Sequence, residues 1–203
     1  MKKRGKRNIR KENFFRKNYS ECWKYLRETK KFIWIIVILF FVSALAGFLI
    51  PISEILKEKI LDYIVGILEK TQGMSSVELV LFILFNNLKS SFFGMLFGFF
   101  LGLFPVIAAL LNGYLVGYVS SMAVSSSGFT SLFNLLPHGI FELPAIFISL
   151  GLGLKFGTFL FEKNREESFK NFLVNSIRVF VFVVVPLLVI AAIIEGILIF
   201  SIN

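Results

Sequence analysis

The sequence is poor in the residues that soluble enzymes rely on. Its 203 residues include one cysteine, Cys22, and one histidine, His138. A single thiol excludes an internal disulfide. One imidazole beside Glu142, with the only thiol far away in the tail, falls short of the three protein ligands a catalytic zinc centre usually needs. A Ser–His hydrolase would need a serine activated beside His138. Ser125–Ser127, Ser131 and Ser149 are present, but no pattern around them marks any one. No catalytic residue, metal site or cofactor is assigned, and the chain is read as a non-enzyme. Charge is also scarce beyond the first 31 residues. That stretch holds 13 of the 22 Lys and Arg against three Glu, so the net charge of +9 belongs to a tail and not to a basic fold. A basic tail joined to a membrane span meets anionic lipid headgroups, at roughly 1 kcal/mol per basic residue, and nucleic acid is not an expected partner.

Hydrocarbon is what the chain has in excess. A hydrophobic content of 56%, 26 phenylalanines and a mean hydropathy of +0.78 exceed what a soluble domain tolerates. The expected fold is an all-α, polytopic integral membrane helix bundle of about five transmembrane helices, with broken or half helices around Pro105 and Pro137 and amphipathic interfacial helices besides. Residues 1–31 form a basic cytoplasmic tail, where Phe15, Tyr19, Cys22, Trp23 and Leu26 recur at helical spacing and predict an interfacial helix. Residues 32–203 form a single transmembrane domain. Phe32–Ile50 is close to the roughly 20 apolar residues a bilayer requires. It is too long for a cleaved signal and reads as a signal anchor, and the basic residues before it put the N-terminus inside the cell membrane. An outer amphipathic helix follows over 52–72, with Ile52, Leu56, Ile60, Ile64 and Leu68 every four residues. Acids outnumber bases there, which favours packing against protein over lipid. Gln72-Gly73 ends that helix, and Ser75 with Glu78 makes a capping box that opens the next.

Asn86, Asn87 and Lys89 interrupt the run that follows. Gly94, Gly98 and Gly102 then form a doubled G-xxx-G series, and Asn112, Gly113 and Gly117 lie in the run after Pro105. Such glycines let helices approach at backbone distance. They serve either packing within one chain or a homodimer seam, and a homodimer is expected. If Pro105 marks a turn, the spans number five, and the basic segment Glu162–Arg178 falls on the same inner side as the tail, as the positive-inside rule requires. The span before Pro105 then starts near Leu79 or is a half-helix. After a polar outer loop at Ser125–Ser131 comes the stretch Asn134–Pro144. Pro137 suits a first helical position, His138 and Glu142 share one face four residues apart, and Pro144 should kink the helix. An ionisable pair in an apolar segment is a candidate functional site. Gly151, Gly153 and Gly157 follow. Ser176–Ile202 is the last span, kinked at Pro186, with Glu195 at the outer interface.

Asn86-Asn87, the Asn112-Gly113-Tyr114-Leu115-Val116-Gly117 run and the Leu136–Ala145 run, with Pro137, His138, Gly139 and Glu142 at its centre, together resemble the stage II sporulation protein M family. The resemblance covers roughly residues 75–160 by motif and the outer spans by hydropathy. It implies a polytopic membrane protein. In endospore formers the founding member gathers a peptidoglycan-cutting amidase and a lytic transglycosylase at the division septum.

Three roles are open to the polar motif. Asn86, Asn112, His138 and Glu142 could satisfy one another or the backbone freed by the prolines, fixing how the spans pack. A titratable pair at a helix start also resembles transporter sites, which makes a transporter or channel the alternative function. An intramembrane enzyme is the weakest reading. The favoured function is a non-enzymatic scaffold that organises other membrane or envelope proteins.

Overall fold

The computed structural model describes residues 2–50, 52 and 54–202, and side chains at 14–50, 52, 54–55, 57–132, 139 and 142–197. The chain is helical throughout these parts: α1 (Lys2–Leu49), α2 (Glu54–Thr71), α3 (Ser76–Leu96), α4 (Leu103–Ser127), α5 (Leu132–Gly157), α6 (Arg165–Val179) and α7 (Val185–Ile202). Five helical stretches are long and apolar enough to cross a membrane: Phe14–Leu49, Ser76–Phe99, Leu103–Ser127, Glu142–Phe161 and Arg165–Ile197. The fold is an all-α membrane bundle.

The capping box forms as the sequence predicts. The Ser75 hydroxyl accepts from the Glu78 amide at 3.4 Å, and a Glu78 carboxylate oxygen accepts from the Ser75 amide at 2.8 Å. From there α3 runs unbroken through Asn86, Asn87 and Lys89, so the polar residues do not interrupt it and no half-helix forms. Its end lies upstream of Pro105. A 3-10 turn at Phe97–Phe99 leads into Leu101 and Gly102, both with left-handed backbone at φ 55° and 71°. Pro105 is the third residue of α4, inside the first turn, where a missing N–H breaks no helical bond. Two full-length helices therefore meet at a tight turn.

Pro137 also lies elsewhere than at a helix start. A 3-10 turn at Phe129–Ser131 feeds directly into α5, so Pro137 is its sixth residue and Pro144 follows within the same helix. The helix at α5 is thus whole where a half-helix is expected. Proline costs a helix one i→i−4 bond and does not by itself end it when neighbouring helices support the backbone. In the last span, the π-helical stretch Phe180–Val184 joins α6 to α7 just before Pro186, the usual company of a proline that cannot donate.

Contacts at glycines set the helix directions. Gly113 and Gly117 of α4 press on the carbonyls of Phe40 and Ala44, and Gly47 of α1 presses on that of Tyr114, so α1 and α4 run parallel. Gly94 meets Leu150, Gly98 meets the Gly153 backbone, and Gly157 meets Gly102, so α3 and α5 also run parallel. The core forms two clusters. One joins Cys22, Tyr25, Met95, Leu152, Val179 and Val184. The other gathers Ile36, Phe40, Ala109, Phe147 and Leu150.

Candidate functional site

The described residues of the sequence motif lie on three helices, α3, α4 and α5. Asn86 is exposed on α3. Asn112 is exposed on α4 and donates to the carbonyl of Ala108 at 2.8 Å, one turn back on its own helix. Glu142 is half-buried on α5, as is Gly139. The side chains of Pro137 and His138 lie outside the described residues. The two asparagines therefore sit on outward faces of different helices, and the amide of Asn112 is engaged by its own backbone.

The glycines are drawn together tightly. A Cβ at Gly98 would overlap the carbonyl of Gly153, one at Gly113 that of Phe40, one at Gly117 that of Ala44, and one at Gly157 the amide of Gly102. At Gly94 the obstacle is a Leu150 methyl at 2.6 Å, and at Gly102 a Leu154 methyl at 2.7 Å. Gly153 faces the backbone of Gly94 and Met95. The whole series is occupied by helices of the same chain, which leaves no seam at these glycines for a second copy.

The polar centre that the fold does assemble lies at the end of the bundle where α1 begins. Here α1 is not a separate interfacial helix. It runs without a break from the tail into the first span, it turns Cys22 and Tyr25 onto α5, α6 and the π-helical stretch, and Thr29 on the same face is fully buried. Period alone cannot say whether an amphipathic face meets lipid or protein, and at Cys22 and Tyr25 it meets protein. Phe14, Phe15 and Tyr19 gather around Phe182, with ring centroids 5.8 to 6.5 Å apart.

Two ion pairs close this end. Arg178 bonds the Glu21 carboxylate and donates to the Asn175 side-chain oxygen at 2.9 Å. Lys155, whose side chain is only 9% exposed, places its ammonium 3.4 Å from Glu28 and 3.8 Å from the centre of the Tyr25 ring. A cation over an aromatic face is worth about 2 kcal/mol or more where water is excluded. The Tyr25 hydroxyl lies 3.5 Å from that of Ser176. A polar cleft of about 270 Å³ opens between Lys24, Glu28, Asn171 and Asn175. The chain offers one sequence signal for this centre, Lys155 alone among Gly151, Gly153 and Gly157. Its partner is 127 residues away, so spacing could not supply it. Among the described residues no group of three His, Cys, Asp or Glu is placed to hold a metal ion.

The pairing of Glu21 with Arg178 also brings the basic segment 162–178 to the same end as the basic tail. That is the arrangement of a five-span chain. Compared with known proteins, the chain matches the family model for Stage II sporulation protein M over residues 35–198. No curated protein and no solved structure matches it.

Proposed function

The chain belongs to the stage II sporulation protein M family, and from that premise we propose that it is a non-enzymatic scaffold of the cell membrane, with its N-terminus cytoplasmic, that gathers other membrane or envelope proteins. The observation that carries this reading is α2. It packs only loosely on the spans and displays Ile55, Val65 and Leu68 alongside the acids Glu54, Glu58, Asp62 and Glu69. A mixed apolar and acidic face of that kind suits a protein partner better than a lipid surface, which favours basic amphipathic helices. The two ion pairs that tie α1 to α5 and α6 support the same reading, because a scaffold needs a bundle that holds its shape.

Co-purification from native membranes tests it. A stoichiometric partner should be recovered with the wild type and with a folded His138→Ala, Glu142→Gln variant, and lost with Ile55→Asp, Leu68→Asp. Recovery of no partner by the wild type would overturn the scaffold. Solute flux in reconstituted vesicles that disappears in the His138→Ala, Glu142→Gln variant would put a transporter in its place.

A further inference from the structure

The underside of α2 carries a second feature. Lys59, Ile60 and Tyr63 face Ser43 of α1 and Leu110, Leu111 and Tyr114 of α4 across a one-sided cleft of about 440 Å³, within the range of small-ligand sites. The Ser43 hydroxyl is already engaged, since it donates to the Leu110 carbonyl at 2.6 Å. The walls are nearly all hydrocarbon. Water in such a space would lack the two to four polar partners that hold it, and an empty space would forfeit the contacts of its lining. The charged residue among those lining it is Lys59, which has no ion pair among the described residues, and Tyr63 follows one turn along α2. Lys57, by contrast, is matched with Glu54 at 3.5 Å.

An apolar trough with a cation among its lining residues fits an amphiphile with an anionic head. Lys59 lies in the second turn of α2, the helix that follows the end of α1 opposite the ion pairs. We propose that this cleft binds one anionic phospholipid, its acyl chain lying on Leu110, Leu111 and Tyr114 and its phosphate meeting Lys59 and Tyr63. The lipid would hold α2 in place over the spans as a fixed platform. The site stands independently of the scaffold reading, because it concerns the face of α2 turned to its own chain.

Native mass spectrometry of the full-length protein, equilibrated with phosphatidylglycerol or with phosphatidylcholine, tests it. The wild type should retain one phosphatidylglycerol with about a fivefold preference, the factor that ~1 kcal/mol from one basic residue supplies. Lys59→Gln should bring that preference to about one, Lys57→Gln should leave it unchanged, and Leu111→Trp, which fills the trough from an exposed position, should lower retention of both lipids. Equal retention of the two lipids by the wild type, or a preference that survives Lys59→Gln, would overturn the site.

Discussion

Only glycine fits at position 98. Its neighbour is the backbone of Gly153, which has no side chain that can yield, so even a methyl group forces the two helices apart. Gly98→Ala should cost at least the ~1–3 kcal/mol typical of overpacking and lower the thermal midpoint of the detergent-solubilised protein. Gly66 on α2 is the contrast, since a Cβ there would meet nothing within 4 Å. There Gly66→Ala gains up to about 1 kcal/mol of helix propensity and should not lower the midpoint. The ion pair of Lys155 with Glu28 is asymmetric in a different way. The Lys155 side chain is 9% exposed and that of Glu28 is 50% exposed. Glu28→Gln therefore strands a buried cation, whereas Lys155→Met leaves a carboxylate that water can reach and fills the space with hydrocarbon. The first should be the more destabilising, and equal midpoints for the two variants would show that the pair is fully solvated.

At the scale of elements, what could be read from the sequence is what short-range chemistry decides. The start of α3 was legible because a capping box needs only residues three apart, and Ser75→Ala should cost about 1 kcal/mol. Hydrogen exchange should quicken in the first turn of α3 before it does in α4 or α5; uniform change along the chain would mean the cap acts on the whole fold. The break before Pro105 was legible in place but not in cause. Proline marks a helix start there, while the turn itself is made by Leu101 and Gly102 with left-handed backbone. The mid-chain asparagines misled because polarity in a helix says nothing about its continuity when the helix can turn them outward. The junction of tail and first span was missed because the partners of Cys22, Tyr25 and Glu28 lie on α5, α6 and the π-helical stretch. For Tyr25 and Ser176 the separation is 151 residues. The polar centre at that end was invisible for the same reason.

For the whole molecule, an odd number of spans has a consequence that labelling reads directly. Residues 97–102 and 158–164 must share the side of the tail, and residues 54–75 and 128–131 must share the other. The single cysteine helps, since Cys22 is 1% exposed in the fold and should stay unmodified by a membrane-impermeant maleimide until the protein is denatured in detergent. With that background silent, Lys163→Cys and Gly128→Cys become clean reporters, except that Gly128 has φ 76° and is strained by a side chain, so Ser127→Cys is the better choice. In inside-out vesicles Lys163→Cys should label and Ser127→Cys should not; in right-side-out cells the pattern should reverse. Labelling of both from one side would require an even number of spans between them, and that would contradict the pairing of Glu21 with Arg178, which holds the first and last spans together at a single end. Reversal of both patterns at once would keep five spans but place the basic tail outside, against the charge rule that orients the chain.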